Sequence, residues 1–184
     1  RASSSSSRLS SAARSPISER PPAPSPLVSL PPIWIRWLAW LISAAIPHLR
    51  QTQGQIVSIS SESVHMPFPM LALYAASKAA VETLSAGLRD ELRSDGIRVS
   101  VLRSGSVSGG SGGDSWTDAE KQAFYTKIVQ TGHAAMSGSP ATPESMAKAL
   151  VAALALPRDI SVDLIEVRAA QEGLPEGARQ VSAS

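Results

Sequence analysis

The sequence predicts an α/β fold in which helices pack against a parallel sheet, and three observations support this assignment. Residues 55–60, 97–102 and 161–167 are short runs rich in β-branched residues and bounded by turn residues, which is typical of strands. Segments with the apolar spacing of helices lie between these runs. The order strand, helix, strand favours parallel strands joined by right-handed crossovers. We therefore expect a sheet of three parallel strands.

The first 32 residues differ sharply in composition from the rest of the chain. They contain 11 Ser, seven Pro, four Arg and one Glu, with almost no apolar periodicity. Such a segment buries too little apolar surface to offset its ordering entropy, so residues 1–32 are predicted to be a disordered leader. An Arg- and Ser-rich, acid-poor start is also typical of an organelle transit peptide. A cytoplasmic protein is the main expectation, and an organelle protein is the alternative.

Residues 33–46 form a strongly apolar segment of 14 residues that contains Arg36. A membrane-spanning helix needs about 20 apolar residues, so no membrane span is expected here. The tryptophans Trp34, Trp37 and Trp40 recur every third residue, as on one stripe of a helix. We expect this helix to contact the core or another subunit.

Composition excludes several classes of function. The net charge is only +2 and the basic residues are scattered, so a nucleic-acid partner is not expected. The chain has no cysteine, which excludes disulfide scaffolds, thiol nucleophiles and Cys-based zinc sites. Its three histidines lie far apart in sequence and lack metal-ligand spacing, so no metal site is expected.

The first strand leads into a long helix and then a second strand. Gly54 provides the turn before the first strand, and helical periodicity runs from about Leu73 to Leu92. Gly96 follows, a residue that tolerates the left-handed conformation at a helix end. Together these segments predict one complete βαβ unit.

A Gly/Ser-rich loop over residues 103–116 follows the second strand. Thr117 and Glu120 have the spacing of a capping box, which predicts a helix that ends at Gly132.

A further helix is predicted before the third strand. Thr142 and Pro143 occupy its N-cap and first-turn positions, and Pro157 ends it. After the third strand the chain becomes polar again, so residues 171–184 are expected to be a disordered tail. The folded domain is therefore assigned to residues 33–170.

Tyr74 and Lys78 are the side chains that suggest chemistry. They are four residues apart at the start of the long helix, so they lie on the same helix face. A neighbouring ammonium favours the phenolate, which makes such a pair a plausible proton donor and acceptor. Ser61 follows the first strand, at the edge where open α/β sheets bind ligands. On spacing alone, an ordinary core tyrosine remains the competing interpretation.

The stretches "GQIVSISS", "YAASK" and "GIRVSVLRSG" occur in the order and spacing of the short-chain dehydrogenase/reductase family. The chain resembles the C-terminal part of a classical member of that family over residues 43–167. The resemblance implies a partial Rossmann-like, doubly wound parallel sheet and an NADP or NAD cofactor. It also implies that Tyr74 is the catalytic acid/base, that Lys78 assists proton loss from it and holds the nicotinamide ribose, and that Ser61 positions the reacting oxygen. The substrate would be a small alcohol or carbonyl compound.

The same resemblance assigns further cofactor contacts after the second strand. The family has Pro-Gly there, followed by an aliphatic residue and a Thr. Gly105 and Val107 keep this pattern, whereas Ser104 and Gly109 do not. Gly105 and Val107, with Tyr74 and Lys78, are thus the expected cofactor-binding residues.

The family's glycine-rich phosphate loop belongs to its N-terminal half, and nothing in residues 1–32 matches it. We therefore expect this chain to be impaired as an isolated enzyme. The alternative is a non-catalytic fragment that acts by subunit pairing. In either case the resemblance implies a homo-oligomer formed through the helices that flank the first strand.

A hydrolase is a remote alternative. Residues 109–113, "GGSGG", satisfy G-x-S-x-G, and Asp118 and His133 follow Ser111 in the appropriate order. A nucleophile elbow, however, needs its serine on a tight turn directly between strand and helix. The loop composition better suits a mobile lid over a substrate.

Overall fold

The structure, a computed structural model, describes residues 33–110, 112–170, 172–174 and 176–182. The predicted leader, residues 1–32, lies outside these described residues. The strands are β1 (Gln55–Ser61), β2 (Arg98–Ser104) and β3 (Leu164–Val167), and the helices are α1 (Ile33–Thr52), α2 (Ala72–Leu92), α3 (Asp118–Gln130), α4 (His133–Ser137), α5 (Pro143–Leu154) and α6 (Glu176–Ser182). Short 3₁₀ turns follow β1 at Glu62–Val64 and α2 at Arg93–Asp95.

The three strands form one parallel sheet in the order β1-β2-β3. Ser61 lies beside Ser104, and Ser104 lies beside Val167, so the carboxyl ends of all three strands meet at one edge of the sheet. The predicted α/β fold with three parallel strands is confirmed.

The second strand extends two residues beyond its predicted end, because Arg103 and Ser104 pair with both neighbouring strands. A buried arginine breaks the apolar pattern from which a strand end is recognised. The third strand is shorter than predicted and begins at Leu164 rather than residue 161.

Helix α1 continues past residue 46 and through Pro47 to Thr52. Proline removes one backbone hydrogen bond from a helix interior. Ile46 and Leu49, on either side of Pro47, pack against the buried cluster formed by Leu92, Ile97 and Val99, which holds the helix in place. Within the described ranges, no helix is both long and apolar enough to cross a membrane.

Helix α2 packs across β1 and β2. Val81 and Leu92 are buried in this interface, as the periodicity predicts, whereas Leu73 is exposed. Ser85 Oγ donates a hydrogen bond to Ser58 Oγ on β1 at 2.9 Å. Gly96 has a φ of 71° after α2, the left-handed conformation expected of it. Helix α2 is thus fixed to the sheet that carries Ser61.

The two helix starts predicted from capping residues are confirmed. Thr117 caps α3 with a complete capping box to Glu120, and Thr142 caps α5 with Pro143 in its first turn.

The C-terminal stretch differs from the expected disordered tail. Residues 176–182 form α6, whose Ala178 is buried against Ile128 of α3 and Ala134 of α4. A short, mostly polar sequence gives too weak a periodic signal to reveal this helix.

Candidate active site

Ser61 is placed at the carboxyl end of β1 by the turn that follows it. Its Oγ accepts a hydrogen bond of 3.2 Å from the backbone N–H of Ser63, as the cap of the 3₁₀ turn. The backbone of Ser61 is still extended, with a φ of −142°. The hydroxyl therefore lies at the sheet edge where the three strands end.

Tyr74 and Lys78 lie together on the first turns of α2. The Lys78 Nζ is 5.7 Å from the centroid of the Tyr74 ring and donates a hydrogen bond of 3.0 Å to the carbonyl of Ile59. Burial lowers the pKa of Lys78 from its ordinary value. The helix spacing therefore brings the ammonium to the phenol, and β1 holds it there.

A cavity of about 260 Å³ joins these groups at the carboxyl edge of the sheet. Ser61 and Tyr74 both line it, together with Gly105 and Ser106 from the loop after β2. The rest of its wall is formed by Glu62, Ser63, Phe68, Leu71, Phe124, Tyr125, Ile128, Ala134 and Ser137. The cavity thus combines polar groups at the strand ends with an aromatic and aliphatic wall.

The loop after β2 is held by the segment that precedes α5. Val107 forms a bridge with Ala141, and the N–H of Ala141 donates to the carbonyl of Ser106 at 2.9 Å. At Gly105 an added Cβ would lie 3.2 Å from both Arg168 Cα and the Val167 carbonyl. A side chain at position 105 would be crowded by the end of β3 and by Arg168, which explains why a glycine occupies this position.

The predicted cofactor residues fit a ligand with ribose hydroxyls. Lys78 carries three N–H donors, and the structure records one of them in use, to Ile59. Tyr74 lies beside it on the cavity wall. Gly105 and Val107 lie on the loop at the same sheet edge. Over the described ranges no group of three or more His, Asp or Glu side chains could hold a metal ion.

The sequence does not predict an ion-pair network that joins α2, β2 and β3. Arg103 of β2 donates to Glu82 of α2 at 2.7 Å and to Glu166 of β3 at 3.1 Å. Ser60 Oγ also donates to Glu82, at 2.6 Å. Hydrogen bonds from Arg103 lower the pKa of Glu82, although burial acts in the opposite direction. Glu82 lies four residues after Lys78, and this spacing, which places both on one helix face, was the one sign in the sequence that Glu82 lies near the site.

Glu62 is the other site residue that escaped sequence analysis. Its Oε1 accepts a hydrogen bond of 2.7 Å from Ser137 Oγ. Burial raises the pKa of Glu62, and the Ser137 bond and Arg168 partly offset that effect. Its position directly after Ser61, at the end of a strand, was the only signal in the sequence.

The residues of the hydrolase alternative are only partly described. Ser111 lies outside the described residues. Asp118 is the exposed first residue of α3. The Nδ1 of His133 instead lies 2.7 Å from Thr131 Oγ1, and its ring contacts Phe68.

Comparison with known proteins gives consistent matches. A family model described as short chain dehydrogenase matches residues 37–120, which include Ser61, Tyr74 and Lys78. The chain is 47% identical over 64 residues to 11-beta-hydroxysteroid dehydrogenase-like 3 of Arabidopsis thaliana, covering 35% of this chain and 20% of the relative. It is 30% identical over 135 residues to an uncharacterized oxidoreductase of Staphylococcus saprophyticus, covering 73% of this chain and 50% of the relative. The chain therefore spans half or less of these relatives' length.

Among solved structures, the closed form of serine dehydrogenase complexed with NADP+ matches with a TM-score of 0.59. The identity is 23%, and the match covers 74% of this chain and 52% of that chain. At this identity the likeness shows the fold, which agrees with the Rossmann-like sheet expected from the sequence.

Proposed function

We propose that this chain, which belongs to the short-chain dehydrogenase/reductase family, carries the catalytic groups of an NAD(P)-dependent oxidoreductase that interconverts an alcohol and a carbonyl compound. One observation carries the proposal: Ser61 and Tyr74 line one cavity at the carboxyl edge of the sheet, and the Lys78 ammonium lies beside the Tyr74 ring. Each of these groups has a separate part in the reaction.

Tyr74 moves the proton. In the reducing direction its phenol donates a proton to the oxygen of the substrate carbonyl, and in the oxidising direction its phenolate removes the alcohol proton. When bound, NAD(P)H supplies the hydride for the carbonyl carbon, and NAD(P)+ accepts it in reverse. The Ser61 hydroxyl donates a hydrogen bond to the same oxygen, which fixes the carbonyl next to the phenol.

Lys78 acts in two ways. Its positive charge is proposed to stabilise the Tyr74 phenolate, since a nearby opposite charge favours the ionised form. Its remaining N–H donors bind the nicotinamide ribose. The Ile59 carbonyl of β1 accepts a hydrogen bond from Lys78 and so holds the ammonium next to the Tyr74 ring.

The similar proteins do not share one substrate class. One relative is named for a hydroxysteroid and one solved structure for serine, and these differ greatly in size and polarity. Gly105 and Val107 are proposed to line the cofactor side of the cavity, on the loop held by Ala141.

The test is turnover by the protein expressed from its complete gene. NADPH and NADH consumption is measured with a panel of small ketones and aldehydes, alongside fluorescence titration of cofactor binding. We expect Tyr74→Phe to reduce kcat by about 10²- to 10⁴-fold, because general acid–base catalysis is lost, and to leave cofactor affinity within a few fold. Wild-type turnover by Tyr74→Phe, or no cofactor consumption with any carbonyl compound, would contradict the proposal.

A further inference from the structure

Two buried polar atoms at the cavity have no hydrogen-bond partner within the described part of the chain. They are Glu62 Oε2 and Ser63 Oγ. Glu62 is 3% exposed and Ser63 is 1% exposed, and both residues line the cavity that contains Ser61 and Tyr74. Buried polar atoms are nearly always hydrogen-bonded, so such a pair in a cavity suggests that a ligand supplies the missing partners.

The nearest cation does not satisfy the Glu62 carboxylate. Arg168 Nε is 3.9 Å from Glu62 Oε2, too far for a hydrogen bond, and Arg168 is already paired with Glu166 at 2.6 Å. The connected network has three carboxylates, Glu62, Glu82 and Glu166, and two guanidinium groups, Arg103 and Arg168. One negative charge is therefore left without a cationic partner.

The other oxygen of Glu62 shows why the carboxylate stays in place. Oε1 is held by the hydroxyl of Ser137, on a different part of the chain. This bond fixes the side chain, while Oε2 has no hydrogen-bond partner among the described residues. A carboxylate held by one oxygen, with the second oxygen free, is suited to accept a hydrogen bond from a ligand.

We infer that Glu62 is a specificity-determining residue, whose Oε2 accepts a hydrogen bond from a hydroxyl or ammonium group next to the reacting carbon of the substrate. The inference rests on the proposed oxidoreductase activity. The preferred substrates are small ketones or aldehydes with an adjacent hydroxyl or amino group. Ser63 Oγ is a second polar group for the same substrate.

An apolar substituent next to the reacting carbon would fit poorly beside Glu62. It would leave the buried Glu62 Oε2 without a hydrogen-bond donor, which is the costly case for a buried carboxylate. The cavity is also small, about 260 Å³, compared with the roughly 300–1,000 Å³ typical of sites for drug-sized ligands. Both features favour a small polar substrate over a large hydrocarbon skeleton.

Three ketones of nearly equal size separate the alternatives. Butanone, hydroxyacetone and aminoacetone each have five non-hydrogen atoms and differ only in the group next to the carbonyl carbon. The quantity measured is the ratio of kcat/KM for each polar ketone to that for butanone, with the protein expressed from its complete gene. We expect wild-type ratios of about 10- to 100-fold, the range for a hydrogen bond to a charged acceptor. The better of the two polar ketones identifies the donor as hydroxyl or ammonium.

Glu62→Gln keeps an acceptor for Ser137 and removes the charge, so the aminoacetone ratio should fall toward one. Glu62→Leu removes both oxygens, so both ratios should fall. Glu144→Gln changes an exposed carboxylate on α5 and serves as the matched control, which should leave both ratios unchanged. Ratios near one in the wild type, or ratios unaffected by both Glu62 variants, would overturn the inference.

A binding measurement separates this inference from the proposed activity. Affinities of 1-amino-2-propanol, propane-1,2-diol and 2-butanol are measured by ligand-observed NMR, which needs no turnover. One outcome is that no ketone is reduced, but a polar alcohol binds more tightly than 2-butanol and loses this advantage in Glu62→Gln or Glu62→Leu. In that case the proposed oxidoreductase activity is refuted, and the proposed role of Glu62 in binding is supported. If the three alcohols bind equally, the inference fails whatever the turnover.

Discussion

Lys78 shows how one side chain at this site depends on two elements. Helix α2 carries it next to Tyr74, and the Ile59 carbonyl of β1 accepts its hydrogen bond. Because burial lowers the pKa of Lys78, the ammonium loses its charge at a pH below the 10.5 of an ordinary lysine. The proposed support of the phenolate by this charge is therefore strongest below that lowered value.

Lys78→Met is expected to reduce kcat/KM by about 10²-fold near pH 7, the scale for losing one preorganised electrostatic contact. The penalty should become smaller as pH rises, because the wild-type lysine then loses the charge that the variant never had. The measurement is a pH profile of kcat/KM for both proteins. Lys148→Met, an exposed lysine on α5, is the control and should match the wild type. A penalty independent of pH would contradict the proposed role of the charge.

Helix α2 is the element that positions the site. Tyr74, Lys78 and Glu82 follow one another at intervals of four residues, so they share a face that lies along the sheet. Glu82 is bound by Arg103 and by Ser60, while Arg89 Nε donates to the Val99 carbonyl at 2.8 Å. Because these polar contacts need particular partners, they fix the position of α2 along the sheet and its rotation about its own axis more specifically than apolar packing would.

Glu82→Gln is expected to lower the free energy of unfolding by about 3 kcal/mol near pH 7, since it leaves the buried Arg103 with one carboxylate partner fewer. The pKa of Glu82 is lower in the folded chain than its ordinary 4.5. The contribution of ionised Glu82 to the free energy of unfolding is therefore complete at pH values above its ordinary pKa of 4.5. It is lost as the pH falls through the lower pKa that Glu82 has in the folded chain.

Chemical denaturation at pH 7 and pH 3 measures this effect, with Glu91→Gln, exposed near the end of the same helix, as the control. The Glu82→Gln penalty should be smaller at pH 3. An equal penalty at both values would show that the charge of Glu82 contributes nothing. Turnover should fall together with stability, because Tyr74 and Lys78 lie on the same helix.

At the scale of the whole molecule, α1 presents an apolar face that the described chain leaves uncovered. Trp37 and Trp40 are each 64% exposed and contact each other edge to face, and Leu41 is 62% exposed. Neighbouring exposed apolar side chains of this kind are typical of interaction surfaces. It supports the proposal that copies of the chain pair through α1 and α2.

Trp37→Glu combined with Trp40→Glu is expected to convert a homo-oligomer into a monomer, because the charges cannot be buried in the pairing surface without a partner. Sedimentation equilibrium measures the change in mass. Val151→Glu is the control, since Val151 is also exposed, at 63%, but lies on α5. A monomeric wild type, or an oligomer disrupted by Val151→Glu and not by the tryptophan variant, would place the interface elsewhere or remove it.

Short-range patterns in the sequence determined the core of the site. The four-residue spacing of Tyr74 and Lys78 places them on one helix face through backbone geometry alone. The β-branched run before Ser61 likewise predicts a strand end, and parallel strands bring their carboxyl ends to one edge. The capping box at Thr117 acts within three residues, so it too was visible without the fold.

Only the tertiary structure decided which buried polar groups meet. Glu62 is bonded to Ser137, 75 residues away in sequence, and Arg103 to Glu166, 63 residues away. Ala178 of α6 packs in one buried cluster with Ile128 of α3 and Ala134 of α4. Local sequence determines backbone conformation through interactions between near neighbours, whereas these pairings depend on how separate elements pack. The free oxygen of Glu62 is therefore a property of the assembled cavity and could not be read from the residues around it.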